Sequence, residues 1–250
     1  MIFKSAAESH AHSLYMLNAL YEYDDFMASI KTMIDLGCGA GLDLEWWATR
    51  TTRDDSPQPL NIDCVGIDLA TAPEYTKKYP NLSKITADFE TFKLDDKKFD
   101  VLWCHDSFQY AINPMATLIH WRDISTPGAM LALSVPQTTN VVHRQMAFEL
   151  PSGCYYHYSM VSLMHMLAIT GWDCKSGFFS KIPNDPWIHA VVYRSEQTPR
   201  NPQKTTWFEL AESDLLPESA EKSIMAHGHL RQQDLILPWL DQSLTWLGKH

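Results

Sequence analysis

The feature that most constrains the fold is the run 33–42, in which a short apolar stretch leads directly into three closely spaced glycines. Gly37, Gly39 and Gly41 give the spacing G-x-G-x-G, and a stretch with helical character follows. Glycines at a strand-to-helix turn let the backbone come close to a ligand. A dinucleotide-binding turn has the spacing G-x-G-x-x-G. The loop therefore predicts a different ligand, with a purely structural tight turn as the alternative.

An acidic residue stands immediately before this loop. Asp35 lies two positions before Gly37, where a carboxylate would repel a pyrophosphate and attract an ammonium group. The methionine end of S-adenosylmethionine carries such an ammonium. The pairing of Asp35 with the glycine loop therefore favours S-adenosylmethionine as the ligand.

Strand-like runs of apolar residues alternate with stretches of helical periodicity along the chain. The predicted strands are 32–36, 63–69, 83–87, 99–104, 129–135, 172–180 and 188–193. The predicted helices are 10–29, 42–50, 73–79, 114–124, 159–170 and 218–246. This alternation predicts a doubly wound α/β fold with a seven-stranded, mostly parallel sheet. The last two strands have no helix between them, so we expect them to pair antiparallel.

These elements suggest three parts of the chain. Residues 1–29 are expected to form an N-terminal helical cap, residues 30–195 the α/β domain, and residues 196–250 a polar linker followed by a helical tail. The tail is rich in leucine and tryptophan. Both docking on its own domain and contact with a second copy in a homodimer would bury such a surface.

Two further acids follow predicted strands. Asp68 ends the second strand, where a carboxylate can accept hydrogen bonds from both hydroxyls of a ribose. Asp88 follows the third strand and could accept the amino group of an adenine, with Phe89 against the ring. A helix-capping role for Asp68 and a turn-forming role for Asp88 are the structural alternatives. The carboxyl edge of an open α/β sheet, where all three acids lie, is where such folds bind ligands.

The composition narrows the class of protein. The chain has 250 residues, of which 45% are hydrophobic and 20% charged, as expected for a globular protein. Its net charge of -10 disfavours general nucleic-acid binding. The five cysteines include no CxxC pair, and the N-terminus has no long apolar run. A reduced, cytoplasmic protein without a signal peptide or membrane span is the expectation.

Several segments together resemble the class I S-adenosylmethionine-dependent methyltransferases, over about residues 30–193. The segments that carry the resemblance are Ile34-Asp-Leu-Gly-Cys-Gly-Ala-Gly41, Gly66-Ile-Asp68, Ala87-Asp-Phe89, Phe99-Asp-Val-Leu-Trp-Cys-His-Asp106, Pro127-Gly128 with the following strand, and Gly171-Trp172. The glycine motif is the specific one, and the others occur in the expected order. The resemblance implies the same seven-stranded sheet and a methyl-transfer reaction that yields S-adenosylhomocysteine.

The resemblance also implies which residues hold the cofactor. Asp35 and the glycine loop would hold its amino acid, Asp68 the ribose, and Asp88 with Phe89 the adenine. The segment after the fourth strand would lie beside the sulfonium. The full predicted cofactor set is Asp35, Gly37, Cys38, Gly39, Gly41, Asp68, Leu69, Asp88, Phe89, Cys104 and His105.

The segment after the fourth strand departs from the pattern of many small-molecule members. Gln109 and Tyr110 stand where those members carry Glu-His, and neither the Asn/Asp-Pro-Pro-Tyr/Phe motif nor a Pro-Cys setting is present. Methyl transfer to a neutral amine or hydroxyl needs alignment and often a base. We predict that His105, Asp106 and Tyr110 are catalytic. The alternative for His105 and Asp106 is that they cap or orient the loop.

Aromatic and polar residues in two other regions are candidates for substrate binding. The N-terminal helix and the connection after the fifth strand could both cover the site. The predicted substrate-binding residues are Tyr15, Gln109, Tyr110, His143, Arg144 and Tyr156. Surface or packing roles are the alternative for each aromatic residue. We predict no metal site, because His10 and His12 at i and i+2 do not face the same way on a helix.

The sequence thus predicts a methyltransferase that acts on N or O of a small-molecule acceptor. A tRNA or protein methyltransferase would need a basic groove, which the composition does not favour. A non-catalytic S-adenosylmethionine-binding partner protein is a further alternative, since a fold by itself does not establish a reaction.

Overall fold

The computed structural model describes residues 5–70, 79–137, 155–180 and 187–237. Within these ranges, no helix has both the length and the apolar character needed to cross a membrane. The predicted helix 73–79 and the predicted substrate residues His143 and Arg144 lie outside the described residues, apart from Tyr79.

Seven strands form one sheet, as predicted. They are β1 Thr32–Leu36, β2 Asp63–Asp68, β3 Leu82–Thr86, β4 Phe99–His105, β5 Ser125–Pro136, β6 Trp172–Ser180 and β7 Trp187–Arg194. Their spatial order is β3-β2-β1-β4-β5-β7-β6. Neighbours from β3 to β5 pair parallel, whereas β7 runs antiparallel to both β5 and β6. The prediction of a mostly parallel sheet with an antiparallel last strand is therefore confirmed.

Seven helices are present in the described part of the chain. They are α1 Ala6–Tyr21, α2 Asp24–Ser29, α3 Leu42–Ala48, α4 Pro114–Asp123, α5 Met160–Ile169, α6 Trp207–Ala211 and α7 Glu218–His227. The sequence predicted a single helix over 10–29, but the chain forms two, separated at Glu22 and Tyr23. The helix predicted over 159–170 is confirmed as α5, and the Ser159 side chain caps it by accepting a hydrogen bond from the Ser162 backbone.

The Pro127-Gly128 pair lies within a strand, whereas the sequence predicted that the strand begins only after the pair, at residue 129. β5 already begins at Ser125, and the register against β4 shifts between Phe99 and Val101. Gly128 has φ +73°, a conformation that glycine adopts at little cost. The pair therefore belongs to a large bulge, in which the five-residue step from Ser125 to Met130 stands opposite the two-residue step from Phe99 to Val101.

Buried side chains fill both faces of the sheet, as a doubly wound fold requires. One face packs against α1 and α3 through residues such as Leu17, Leu44 and Trp47. The other face packs against α4 and α5 and includes Leu118 and Leu163. The sheet is thus held rigidly between two layers, and its carboxyl edge offers fixed positions for functional groups.

The described part of the C-terminal tail packs on this second face. Leu210, Leu216 and Ile224 belong to the same buried cluster as β4 and β5. The helix predicted over 218–246 ends much earlier, at His227, because Gly228 adopts a left-handed conformation with φ +75°. A short 3-10 turn, Gln232–Asp234, follows it.

Candidate active site

A cleft of about 420 Å³ opens at the carboxyl edge of the sheet. It is lined by the turn after β1, the end of β2, the end of β4 and the first turns of α1. The predicted cofactor residues found in its lining are Asp35, Gly37, Cys38, Gly39, Gly41, Asp68, Leu69, Phe89 and His105. The three predicted catalytic residues, His105, Asp106 and Tyr110, line the same cleft. Asp88 and Cys104 are not part of the lining.

The glycine turn is pressed tightly between neighbouring elements. The backbone N–H groups of Gly37 and Cys38 both donate to the Ile67 carbonyl, at 2.8 and 3.0 Å. Gly37 has φ +86°, and a Cβ at this position would lie 2.3 Å from the Cβ of Ser107. Glycine is therefore required at this position both by the backbone conformation and by the closeness of the segment after β4.

Asp35 lies at the floor of the cleft, with a relative exposure of only 3%. Burial raises the pKa of its carboxyl group well above the usual value, with further contributions from the nearby carboxylates of Asp43 and Asp68. Lys84 acts in the opposite direction. Within the described ranges, no group donates a hydrogen bond to this carboxylate. A buried acid of this kind favours a cationic ligand, because a cation would replace the lost hydration.

The Asp68 carboxylate binds the protein backbone on both of its oxygens. Oδ2 accepts the N–H of Gly39 at 2.8 Å, and Oδ1 accepts the N–H of Ala70 at 2.8 Å. Lys84 Nζ donates to the carbonyl of the same Gly39 at 2.7 Å. Asp68 therefore holds the glycine turn and leaves further lone pairs for a ligand hydroxyl.

Phe89 and Asp88 are adjacent in the sequence, but only Phe89 lines the cleft. Phe89 lines the cleft, and its ring meets Trp121 edge-on at 5.9 Å. Asp88 Oδ1 accepts the backbone N–H of Glu90 at 2.9 Å, the turn-forming contact named above as its structural alternative. A role for Asp88 with adenine stays a prediction.

Asp106 follows directly after β4 and is held by a hydrogen bond from Gln109. Asp106 has φ +54°, uncommon for a residue with a side chain, and its carboxylate accepts Gln109 Nε2 at 2.6 Å. Burial raises the pKa of the Asp106 carboxyl group to about 6, against the lowering effect of Gln109. Gln109 is buried and does not line the cleft. Its side chain contacts Asp106 and not the space where a substrate would lie. Non-glycine residues with positive φ often occur at functional sites.

Cys104 lies one layer below the cleft. It is fully buried, and its thiol is 3.2 Å from the hydroxyl of Ser107. Burial raises the pKa of this thiol to about 12. A thiol that stays protonated is a poor nucleophile, so Cys104 is a core residue and not a nucleophile.

The N-terminal helix contributes residues that were not among the predicted cofactor, catalytic or substrate residues. Ser9 and His10 of α1 line the cleft together with Asp43 of α3. Asp43 Oδ1 meets His10 Nδ1 at 2.5 Å and accepts the Ser13 hydroxyl at 2.6 Å. Asp43 Oδ2 accepts the indole N–H of Trp103 at 2.9 Å. One carboxylate thus joins α1, α3 and β4. The available sequence signal was an acid in the first turn of the helix after the glycines.

His12 faces a different direction from His10, as the i, i+2 spacing predicted. Its Nδ1 lies 2.8 Å from Nε2 of His105, and its ring lies 5.2 Å from that of His189 on β7. Burial lowers the pKa of His105 well below the usual value, and the neighbouring histidines lower it further. His105 is therefore neutral near pH 7.

The other predicted substrate residues lie apart from the cleft. The Tyr15 hydroxyl is 3.1 Å from that of Ser180 at the end of β6, and its ring contacts His189. Tyr156 is partly exposed and donates from its hydroxyl to the carbonyl of Ile112 at 3.3 Å. Tyr110 alone of the described candidates lines the cleft. The substrate roles of these residues stay predictions.

Comparison with known proteins agrees with this geometry. Residues 34–133 match a family model described as "Methyltransferase domain", a range that runs from β1 into β5. No curated protein matches the sequence.

Solved structures share the fold at low sequence identity. The N-methyltransferase NodS from Bradyrhizobium japonicum, in complex with S-adenosyl-l-homocysteine, superimposes with a TM-score of 0.54 at 14% identity over 77% of this chain and 90% of that one. Magnesium protoporphyrin IX methyltransferase from Synechocystis, with the same product bound, gives 0.54 at 16% identity over 78% and 90%. The 1,6-didemethyltoxoflavin-N1-methyltransferase from Burkholderia thailandensis gives 0.51 at 12% identity over 78% and 93%.

Proposed function

We propose that the chain, of which residues 34–133 match a methyltransferase domain, is a class I S-adenosylmethionine-dependent methyltransferase that transfers a methyl group to a nitrogen or oxygen atom of a small molecule. The observation that carries this proposal is Asp35. A carboxylate buried at the floor of the cleft, with no hydrogen-bond donor in the described ranges, fits the ammonium group of S-adenosylmethionine.

The order of the strands supports one orientation for this cofactor. Asp68 at the end of β2 would accept the ribose hydroxyls, and Phe89, after β3, would contact the adenine. Asp35 on β1 would hold the ammonium group. The neighbour of β1 on its other side is β4, so the methyl group would point towards His105, Asp106 and Tyr110. When bound, the cofactor supplies an electrophilic methyl group on a positively charged sulfur.

The residues at the end of β4 would position the acceptor and handle its proton. His105 is neutral, because burial lowers its pKa, and can therefore accept a proton. Asp106 follows His105 directly in the sequence, and its carboxylate is held in place by Gln109. Tyr110 offers a hydroxyl at the rim of the cleft. A precisely held set of groups is what alignment of an acceptor with a methyl donor requires.

The charge of the cleft supports a neutral or cationic acceptor. Its lining includes the acids Asp35, Asp43, Asp68 and Asp106 and, within the described residues, neither lysine nor arginine. Such a field repels phosphates and carboxylates. Two of the structural neighbours reported above are N-methyltransferases by name, and an amine would suit this cleft. The tRNA alternative gains no support from it.

The proposal is tested by calorimetric titration with S-adenosylmethionine and S-adenosylhomocysteine. We expect micromolar binding of both to the wild type and a loss of affinity of about 1.5–3 kcal/mol in Asp35→Asn, because a charge-assisted contact is removed. Asp96→Asn, at an exposed position between β3 and β4, is the matched control and should bind normally. Absence of binding by the wild type would overturn the proposed function.

A further inference from the structure

Three histidines from three different elements meet next to the cleft. They are His12 of α1, His105 of β4 and His189 of β7, and we call them the histidine cluster. The ring of His12 lies 5.1 Å from that of His105 and 5.2 Å from that of His189. The pairing of β5 with β7 brings His189 opposite Ser134, whose hydroxyl lies 2.7 Å from the ring Nδ1. Of the three, His105 lines the cleft.

Both ring nitrogens of His105 face α1. Nε2 lies 2.8 Å from Nδ1 of His12, and Nδ1 lies 3.3 Å from the hydroxyl of Ser9. Ser9 itself lines the cleft, so Nδ1 is the nitrogen on the cleft side. The contact with His12 is much the shorter of the two. It joins two imidazoles directly, and one of them must donate while the other accepts.

We propose that His105 and His12 form a proton-accepting dyad for methyl transfer, in which His105 takes the proton that the acceptor loses and His12 takes up the proton that His105 releases on its far side. This inference rests on the proposed function. The N–H or O–H bond of the acceptor breaks and its proton joins Nδ1 of His105, while the acceptor's electron pair forms the bond to the methyl carbon. The electron pair of the former carbon–sulfur bond remains on sulfur. The proton on Nε2 passes to Nδ1 of His12.

The dyad suits this task because it takes up at most one proton beyond those of the two neutral rings. Two imidazoles in direct contact cannot both be charged at moderate cost. Burial together with His12, His189 and His10 keeps His105 neutral at rest, since each lowers its pKa. His12, by contrast, is only half-buried on α1.

The charge on the cofactor's sulfur would also determine when the dyad takes up its proton. A sulfonium next to His105 disfavours a second positive charge, and its conversion to a neutral thioether removes that repulsion. Other titratable groups line the same cleft: His10 on α1, Asp35 on β1, Asp43 on α3 and Asp106 after β4. The loss of the sulfonium charge is the change that favours protonation of the dyad. The proton would therefore arrive as the methyl group leaves.

The dyad can be tested without an acceptor. S-adenosylmethionine and S-adenosylhomocysteine share the ammonium group, the ribose and the adenine, and they differ in the charge on sulfur. The dissociation constant of S-adenosylmethionine divided by that of S-adenosylhomocysteine therefore reports on groups near the sulfur. Asp35 affects both ligands alike and cancels in this ratio. The experiment measures this ratio by calorimetry from pH 8 to pH 5, for the wild type and for His12→Asn, in which an amide can replace Nδ1 as hydrogen-bond partner.

We expect the ratio to rise about tenfold in the wild type as the pH falls, because protonation of the dyad repels the sulfonium. In His12→Asn most of this rise should disappear. Asp106 titrates in the same range and would act in the same direction, so Asp106→Asn is included and should retain the rise. His229→Asn, at an exposed position after α7, is the control and should behave as the wild type.

Nitrogen-15 spectra of the imidazole rings in the wild type provide a second measurement that depends on no variant. One proton should enter the His12–His105 pair on acidification, and at lower pH with S-adenosylmethionine than with S-adenosylhomocysteine. Identical titration with both ligands, or a ratio that His12→Asn leaves unchanged, would overturn the dyad while the proposed function stands. Failure of the wild type to bind either ligand would overturn the proposed function itself.

Discussion

The two halves of the cleft are built in different ways. On the side of β1 and β2, the glycine turn, Asp35 and Asp68 come from a stretch of fewer than forty residues and are held largely by backbone contacts. On the side of β4, His105 meets His12, which is 93 positions away in the sequence, and lies near His189 of β7. The first side can thus be recognised from a local motif, whereas the second exists only after α1, β4 and β7 have packed together.

The largest effect should come from the most crowded part of the first side. Gly37→Ala would place a methyl group 2.3 Å from Ser107 Cβ at a residue with φ +86°. We expect a loss of about 2–5 kcal/mol in the free energy of unfolding, from conformational strain and overpacking together. Urea denaturation measures it.

Gly39→Ala is the matched variant for this prediction. Gly39 also has a positive φ, of +51°, but no atom lies within 4 Å of its Cβ position. It should lose only about 1–2 kcal/mol, from strain alone. Equal losses in the two variants would show that the contact with Ser107 does not matter.

A weaker effect is expected where the two sides are joined by Asp43. Asp43→Asn removes the charge that binds His10, Ser13 and Trp103. The protein should lose about 1.5–3 kcal/mol of stability, and amide exchange should become faster in α1. Hydrogen exchange read by mass spectrometry measures the second effect. Unchanged exchange in α1 would mean that other contacts hold this helix, and Asp96→Asn serves as the exposed control.

Asp68 binds the backbone of the glycine turn and, by our proposal, also the ribose of the cofactor. Asp68→Ala should weaken binding of S-adenosylmethionine by about 1.5–3 kcal/mol, because charge-assisted hydrogen bonds to Gly39 and to the ligand are lost together. Titration calorimetry gives the value. An affinity equal to that of the wild type would remove Asp68 from the cofactor site.

The smallest effect concerns pH and belongs to the second side. The pKa of His105 in the folded state lies well below the usual 6.5, so the unfolded chain binds more protons below about pH 6.5 and stability falls as the pH falls through that value. Asp106 acts oppositely, because its carboxyl pKa is raised from 3.8 to about 6 and the folded state binds its proton first.

Comparison of the wild type with His105→Asn separates these two contributions. Between pH 7.5 and pH 5.5 the wild type should lose up to about 1.4 kcal/mol per pH unit more than the variant. Urea denaturation at both pH values measures the difference. If the two proteins lose stability equally, the low pKa of His105 is not a property of the folded state in solution.

Much of the fold could be predicted because its signals are local. The strand before the glycines, the N-cap at Ser159 and the lack of a helix between β6 and β7 each depend on a few neighbouring residues. The bulge at Gly128 and the early end of α7 at Gly228 were missed. In both, a glycine with positive φ permits either a turn or an irregularity, and only the neighbouring strand or helix decides between them.

The site shows the same division. Asp35, Asp68 and the glycines could be placed in one cleft from the sequence alone, because carboxyl ends of adjacent parallel strands meet at one edge. Asp43 and His12 could not, since no local pattern distinguishes an acid that joins three elements from any acid in a first helical turn. The sequence by itself determined the sheet and the glycine turn, and it predicted a cationic ligand. Only the tertiary structure decided which histidines meet, because side chains distant in the chain come within hydrogen-bond distance only through packing of the elements that carry them.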